Sequence, residues 1–403
     1  MSTKPIFLIF LLISLTSVSF AQKEWSNWYY NGRNLLTFKN GHAEIINDFI
    51  AEEPPWTPGF IPYYNWGTGG VSYSDPVSGE MKFIISNRLG FNREYNSFPK
   101  DVFLRSCPDK LSYHIIPFQN DPNKFYIIQF QSARADLLAQ SSGLQVRCPN
   151  AIGLGYSILD LSLDGGLGDF ISVNNVITTG LADQMTTVRH ADGKSVWIIV
   201  HPFNTAKFHS YLVNDAGIQP AIVNEIGPMM SGGYSNTQGS IIASHDGKLL
   251  AGATGSDAVQ LFDFNNATGV MSNYRKLDYI GTPGKFQFSP DNTKLYYLNG
   301  NSSIYQYDFN QPDVSSSLTK IVDDRRYYMY DMQLAPDGKI YVTKTRSQSQ
   351  EDYEEYTGVI ECTNLPQYSS NFNPTALKTT QVFFPDLIND FINDPKAPLI
   401  TKI

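Results

Sequence analysis

The sequence contains little cysteine, little charge and, after its first residues, no long apolar run. Three cysteines in 403 residues, Cys107, Cys148 and Cys362, exclude a disulfide-stapled scaffold, and a chain of this length can bury its own core. The sequence allows a Cys107–Cys148 disulfide in an oxidising compartment, and three separate thiols fit it equally well. Because no Cys/His ligand spacing is present, we expect neither a structural metal nor a cofactor.

The charge balance excludes one class of partner. Charged residues make up 17% of the chain and the net charge is −8. A nucleic-acid-binding protein needs a basic face to displace counterions from phosphates, so we expect no nucleic-acid partner. Aromatic residues make up 13%, which excludes intrinsic disorder for most of the chain because disordered segments are poor in aromatics.

Apolar residues are concentrated at the N-terminus. Residues 6–15 form an almost unbroken apolar run, and Ser19 and Ala21 are small residues placed as in a cleavage site. This pattern is typical of a secretory signal peptide, and a membrane anchor fits less well because a span needs about 20 apolar residues. We predict a signal peptide over residues 1–21 and a single domain over 22–403. The mature chain should lack a transmembrane segment and be secreted or periplasmic, with cell-surface association as a further option.

A short motif recurs along the chain: a turn with Asp, Gly, Asn or Pro, then Lys, then a β-forming run. The lysines of its six copies are Lys82, Lys124, Lys194, Lys248, Lys294 and Lys339. Asp-Gly and Asn between apolar runs indicate tight hairpins, because these residues tolerate the positive φ that such turns require. Several copies contain a further strand that ends in Asp, at Asp160, Asp263 and Asp308, and we interpret these acids as structural turn caps.

Units of about 45 residues with several short antiparallel strands are typical of propeller blades. Six units are visible, and residues 28–50 together with 381–391 have the size of one more. A blade built from both ends of the chain would close the ring and remove free sheet edges. We therefore predict an all-β, seven-bladed β-propeller closed by its N- and C-terminal segments. Six or eight blades are alternatives, and a β-sandwich array fits less well.

Several segments, in their order along the chain, resemble a known family. They are residues 28–38, 156–169, 187–201 and 261–269, and residues 288–296 and 334–341 are similar to the general WD40-like, TolB-type pattern. Together they resemble the N-terminal propeller of large secreted Bacteroidetes proteins associated with type IX secretion and gliding motility. The resemblance implies a signal-directed, non-enzymatic propeller. Only residues 394–403 follow the predicted propeller, too few for the sorting domain of those proteins, so type IX export is not implied.

The sequence contains no motif for nucleophilic or phosphate chemistry, and its histidines lack metal-ligand spacing. In a propeller, ligands are expected where the loops after the second strands meet the loops that enter the first strands. The candidate ligand-binding residues in these loops are Arg325, Arg326, Tyr327, Tyr328, Tyr330, Arg88, Arg93, Tyr95, His201, Asn204 and Gln238. Arg and Tyr are frequent interface anchors. A solvated loop beside packed tyrosines is the alternative interpretation of residues 325–330.

These observations predict a secreted or periplasmic, non-enzymatic module that binds a protein or a glycan with its loops. The alternative is a carbohydrate-active hydrolase or lyase, since one fold supports many chemistries. A hydrolase would need two carboxylates roughly 5–10 Å apart in the central mouth of the propeller. The sequence supplies acids in the loops, but their convergence depends on the fold.

Overall fold

The computed structural model describes residues 23–29, 35–46, 70–85, 90–100, 111–132, 153–230, 239–254, 259–299, 302–325, 327–346 and 356–378. Within these ranges, seven small antiparallel sheets form a ring. The only helical elements described are short 3-10 turns, at Asp164–Gly166, Ser315–Ser317 and Gln367–Ser370. The predicted all-β, seven-bladed propeller is confirmed.

Each sheet is one blade, and the strands follow the chain outward from the centre of the ring. Blade 1 contains β1 (Asn27–Tyr29), β2 (Leu35–Thr37) and β3 (Glu44–Ile46). Blade 2 contains β4 (Val71–Ser74), β5 (Met81–Ile85) and β6 (Gly90–Asn92). Blade 3 contains β7 (Leu111–Pro117), β8 (Lys124–Gln131), β9 (Leu154–Asp160) and β10 (Asp169–Thr178).

The other four blades are built in the same way. Blade 4 contains β11 (Leu181–Arg189), β12 (Val196–Pro202), β13 (Lys207–Asn214), β14 (Gly217–Ile218) and β15 (Ile222–Glu225), the last two both paired with β13. Blade 5 contains β16 (Gly239–Ala243), β17 (Leu249–Thr254), β18 (Val259–Asn265) and β19 (Val270–Leu277). Blade 6 contains β20 (Pro283–Phe288), β21 (Lys294–Asn299), β22 (Ser303–Asp308) and β23 (Thr319–Asp323). Blade 7 contains β24 (Tyr327–Leu334), β25 (Ile340–Arg346), β26 (Tyr356–Ile360) and β27 (Phe372–Lys378).

The recurring motif forms the turn between the first and second strands of a blade, as predicted. Gly193 has φ 73° and Asn292 has φ 61°, the left-handed conformation for which these residue types are favoured. In the blade 4 turn, Asp192 Oδ1 accepts hydrogen bonds from the backbone amides of Lys194 at 2.7 Å and Ser195 at 2.8 Å. The turn is therefore fixed by local chemistry that the sequence shows directly.

The repeated acids at the ends of third strands have structural partners. Lys294 lies opposite Asp308 in the ladder, and its Nζ is 3.0 Å from Asp308 Oδ1, with only 2% of the lysine side chain exposed. Asp160 Oδ1 accepts from the backbone amide of Ser162 at 2.9 Å. Asp263 Oδ1 accepts instead from Arg275, at 2.6 Å. These contacts agree with the interpretation of the acids as structural groups.

Blade 1 closes the ring between blades 7 and 2. Trp28 is fully buried, and its ring lies 6.0 Å from that of Tyr341 in blade 7. On the other side, Asn27 Nδ2 donates to Ser74 Oγ at 2.8 Å in blade 2. The predicted contribution of the N-terminal segment is therefore confirmed. The C-terminal part of that prediction, residues 381–391, lies outside the described residues, as do residues 1–21.

Neighbouring blades are also joined by polar side chains near their rims. Asp215 of blade 4 accepts from the backbone amides of Gln119 at 2.7 Å and Asn120 at 2.8 Å in blade 3. Between blades 6 and 7, the Tyr296 hydroxyl donates to the Thr363 carbonyl at 2.7 Å. These bonds fix the blades against each other. In the part of the chain described, no helix has the length and apolar character needed to cross a membrane.

Candidate recognition site

The ring has two faces with different loops. The hairpin face carries the turns between first and second strands, such as residues 192–194, and the loops between third and fourth strands. The loop face carries the segments that join one blade to the next, such as residues 324 and 325, and the loops after second strands, such as residues 203–206. The loop face is where the sequence predicted a ligand.

The inner strand of blade 7 places tyrosines at the loop face. Tyr327 and Tyr328 begin β24, and Arg325 lies two positions before Tyr327 with 88% of its side chain exposed. Tyr328 is 41% exposed, and its ring centroid lies 6.4 Å from that of Tyr330 at a tilt of 45°. An exposed guanidinium thus lies just before an inner strand that carries a tilted pair of phenol rings.

A β-bulge at Tyr330 determines how this strand presents its side chains. Met329 lies opposite Lys344 and Asp331 lies opposite Thr343, so Tyr330 is an extra residue in the register between β24 and β25. A bulge bends its strand and redirects the side chains next to it. Here Tyr328 and Tyr330 come close together, while Asp331 is directed toward the neighbouring blade.

Asp331 forms an ion pair across the boundary of blades 6 and 7. Its Oδ1 lies 3.5 Å from Nζ of Lys285, which belongs to the inner strand β20. The same oxygen accepts from the backbone amide of Met332 at 2.9 Å. Asp331 is nearly buried and Lys285 is partly exposed, so the ammonium is the more accessible group of the pair. A carboxylate, an ammonium and two phenol groups therefore lie on adjacent inner strands.

Similar irregularities occur in two other inner strands. In β20 the register slips between Pro283 and Phe286, which places Lys285 at the irregularity. In β11 it slips between Leu181 and Met185. All three irregularities lie in the half of the strand nearest the loop face. Polar side chains of blades 4, 6 and 7 are therefore displaced from the regular ladder on this face.

The irregularity in β11 places Gln184 between two blades and next to His201. Its Nε2 donates to the Ala253 carbonyl of blade 5 at 2.9 Å, and its Oε1 lies 2.7 Å from Nδ1 of His201. His201 Nε2 lies 2.9 Å from the Thr205 carbonyl. Burial lowers the pKa of His201 to about 4, although the Thr205 carbonyl acts in the opposite direction. His201 is fully buried and therefore supports the loop face from beneath instead of contacting ligand.

Asn204 and Tyr327 have largely structural surroundings. Asn204 adopts φ 60° in the turn after β12, and its backbone amide donates to the Met230 carbonyl at 2.7 Å. The ring of Tyr327 is covered by Lys344, whose Nζ lies 3.9 Å from the ring centroid. A buried ammonium over an aromatic face is a stabilising cation–π arrangement. Lys344 thereby fixes Tyr327 at the start of β24.

The charge around Arg325 is partly balanced by its own loop. Asp323 Oδ2 accepts from Lys320 Nζ at 2.7 Å, and Asp323 Oδ1 lies 3.8 Å from Nε of Arg325. The hydrogen bond from Lys320 lowers the pKa of Asp323. Because Lys320 already provides Asp323 with a close partner, the guanidinium of Arg325 is available to an incoming group.

Two predicted residues, Arg93 and Tyr95, do not lie on the loop face. The sequence placed them in a loop after a second strand, but the short third strand β6 intervenes and reverses the chain. Arg93 donates to the Gly166 carbonyl in the β9–β10 loop. Tyr95 has a raised pKa because of burial and the nearby charge of Glu80, which lies in the turn before β5. Both residues therefore lie on the hairpin face, away from Tyr328.

Several other predicted residues lie outside the described ranges: Arg88, Arg326, Gln238, Cys107 and Cys148. Cys362 is described and exposed. Among the residues that the structure describes, no group of three or more His, Cys, Asp or Glu side chains is arranged to hold a metal ion.

An open groove of about 520 Å³ lies on the outside of the ring, between blades 6 and 7. One wall includes Val322, Asp323 and Asp324 at the end of β23, and the other includes Tyr368, Asn371 and Phe372 at the start of β27. The ring of Phe372 is also 5.9 Å from Nζ of Lys344. Lys344 therefore connects this groove to Tyr327.

Sequence reasoning missed Lys285, Asp331 and Lys344. A signal was present, because each is a charged residue inside a run that otherwise reads as a buried strand. The missed groove residues had no comparable signal. Their two walls come from segments far apart in the chain, which only the ring brings together.

Comparison with known proteins identifies no family. No protein-family model matches the chain, and no curated protein matches it. Hydrazine synthase of Kuenenia stuttgartiensis is 15% identical over 62% of this chain, with a TM-score of 0.36, and the chain spans only 62% of the length of that protein. The periplasmic gluconolactonase of Pseudomonas aeruginosa is 10% identical over 81% of this chain and 94% of its own, with a TM-score of 0.38. The SREBP–SCAP binding domains of fission yeast are 11% identical over 70% of this chain and 79% of their own, with a TM-score of 0.41.

Proposed function

We propose that this propeller is a secreted or periplasmic recognition module that binds a protein or a glycan at the loop-face rim of blades 6 and 7. The observation that carries the proposal is the combination of Arg325, 88% exposed, with the half-exposed Tyr328 on a bulged inner strand. Arg and Tyr are common binding hot spots, because they combine a large contact area with fixed hydrogen-bond donors.

The surroundings favour binding because the site is held rigidly before a ligand arrives. Lys344 fixes Tyr327, and the Lys285–Asp331 ion pair joins the two inner strands beneath the tyrosines. A rigid surface loses little side-chain freedom on binding. The described carboxylate nearest the tyrosines, Asp331, is already engaged by Lys285 and by a backbone amide, which supports a structural role for it over acid–base catalysis.

The test is a glycan array and a pull-down with the mature protein, using matched double variants. Arg325→Ala with Tyr328→Ala removes the proposed anchors. Arg93→Ala with Tyr95→Ala removes the same residue types from the hairpin face and is the control. We expect saturable binding that the first pair weakens by about tenfold or more and the control pair leaves unchanged.

Other outcomes contradict the proposal in distinct ways. Equal loss in both pairs, or loss only in the control pair, would place the site elsewhere on the molecule. Consumption of a bound glycan by the wild type would favour the hydrolase or lyase alternative. In that case the Asp331→Asn variant should abolish turnover.

A further inference from the structure

We propose that the groove between the outer strands of blades 6 and 7 is a binding site for an uncharged sugar ring. The groove differs from the loop-face rim in its aromatic group, because Tyr368 and Asn371 belong to an outer segment of blade 7 whereas Tyr328 lies on an inner strand. The inference goes beyond the proposed recognition function and does not depend on it.

The size and the exposed ring of the groove fit a small polar ligand. Its volume of about 520 Å³ lies within the range of roughly 300–1,000 Å³ that is typical of small-molecule sites. Tyr368 is 74% exposed at its edge, the most exposed large hydrophobic side chain described in this chain. An exposed phenol ring offers an apolar face for the C–H face of a pyranose and a hydroxyl for its rim.

The polar groups opposite this ring suit hydroxyls. Asp323 and Asp324 supply carboxylate oxygens, which accept hydrogen bonds from hydroxyl groups, and Asn371 supplies an amide that both donates and accepts. Phe372 adds a second aromatic ring on the wall that carries Tyr368. A sugar ring presents hydroxyls around its edge and an apolar face, so this combination matches both of its surfaces.

The charges of the groove exclude other small ligands. Two carboxylates at one wall repel an anion such as a phosphate or a uronic acid. A cation would have to compete with Lys320, whose Nζ already lies 2.7 Å from Asp323 Oδ2. A fully apolar ligand would displace water from the polar side chains of Asp323 and Asn371 without replacing its hydrogen bonds, which is costly. An uncharged polyol is the class that avoids all three penalties.

The wall that carries Tyr368 and Asn371 is fixed by backbone hydrogen bonds. The backbone amide of Asn371 donates to the Tyr368 carbonyl at 3.1 Å, and the backbone carbonyl of Asn371 accepts from the backbone amide of Glu361 at 3.0 Å. Gln367 donates from its backbone amide to Gln306 Oε1 of blade 6 at 2.7 Å, which ties this wall to the opposite blade. The shape of the groove is therefore fixed by hydrogen bonds within the protein and does not depend on a bound ligand.

The experiment is calorimetric titration of the mature protein with glucose, galactose, mannose, cellobiose, maltose and lactose, and with glucuronic acid as the charged counterpart. We expect at least one neutral sugar to bind. Tyr368→Ala should weaken that binding by about tenfold or more, as for a hot-spot aromatic. Tyr274→Ala is the matched control, since Tyr274 is 37% exposed on β19 of blade 5. A second variant, Asn371→Gly, removes the amide and retains a residue that tolerates φ 53°.

Three results would overturn the inference: no binding of any neutral sugar, equal binding by wild type and Tyr368→Ala, or tighter binding of glucuronic acid than of glucose. Capture of a basic peptide that depends on Tyr368 and does not respond to sugars would also overturn it. The single variant Tyr328→Ala separates the two proposals, because Arg325 also lies 3.8 Å from Asp323 of the groove wall. It should keep sugar binding in the groove even where it loses the ligand of the loop face.

Discussion

The buried histidine beneath the loop face makes a quantitative prediction about stability and pH. Burial lowers the pKa of His201 to about 4 in the folded protein, whereas its ordinary value, expected in the unfolded chain, is 6.5. The unfolded chain therefore binds a proton more readily between these values. The stability that comes from a neutral, buried His201 is complete above pH 6.5 and is lost as the pH falls toward 4.

The size of this effect follows from the two pKa values. Between about pH 7 and about pH 5, linkage predicts that the free energy of unfolding falls by about 2 kcal/mol through this one residue. The assay is urea unfolding at the two pH values for the wild type and for His201→Gln. Glutamine does not titrate, so its variant should lack this part of the pH dependence. The smaller glutamine side chain leaves a cavity. The stability lost to this cavity is the same at both pH values, so it cancels when the two pH values are compared.

Other titrating groups are common to both proteins, including His209, whose pKa burial also lowers. The reasoning is refuted if the wild type loses no more stability than His201→Gln on acidification. A gain in stability at about pH 5 would show that the folded state holds His201 protonated. Gln184 Oε1 and the Thr205 carbonyl both lie within hydrogen-bond distance of its nitrogens, and both would then accept a hydrogen bond from the ring.

Three further predictions concern the ring and its export. Replacing Asp308 with Ala should reduce the free energy of unfolding in urea by about 3–5 kcal/mol, because Lys294 is left buried without its carboxylate, and Lys294→Met with Asp308→Leu should cost less. An equal loss in the single and double variants would contradict this assignment. Trp28→Ala should cost about 3–5 kcal/mol in the same assay, since its ring joins blade 1 to blade 7, and a loss below about 1 kcal/mol would argue against closure there. Intact mass of the exported protein should show Gln22 as its first residue, and retention of residues 1–21 would contradict signal cleavage.

Six of the seven blades could be counted from the sequence because each carries the turn motif, and the seventh is inferred from the length of chain that remains. Turns at Gly193 and Asn292 need positive φ, and the residues that allow it are visible in the sequence. The position of Arg93 could not be predicted in the same way. The strand before it, β6, is only 3 residues long and reads as part of a loop. A sequence prediction that omits this one short strand reverses the predicted direction of the chain after it. Arg93 and Tyr95 are then predicted on the opposite face.

The candidate site could be predicted only in part, since its details depend on pairing. Tyr328 and Tyr330 are recognisable as aromatic residues near a blade entrance. The extra residue at Tyr330 appears only when the register against Lys344 and Thr343 is known. The ion pair of Asp331 with Lys285 joins two blades, and its partners lie in separate repeats. Contacts of this kind arise from the ring and not from any single repeat.

Three inner strands carry extra residues near the loop face, where we propose recognition. On the hairpin face, side chains such as Asp192 satisfy the backbone amides of the turns, so changes there would weaken the blade itself. The register irregularities of β11, β20 and β24 all fall in the loop-face half of the inner strands. An extra residue removes ladder hydrogen bonds and is retained where it redirects a side chain that has a use. Tyr328, near this irregularity, and Arg325 are both exposed, so the strand distortion that costs the blade its regular pairing lies at the surface for which we propose recognition.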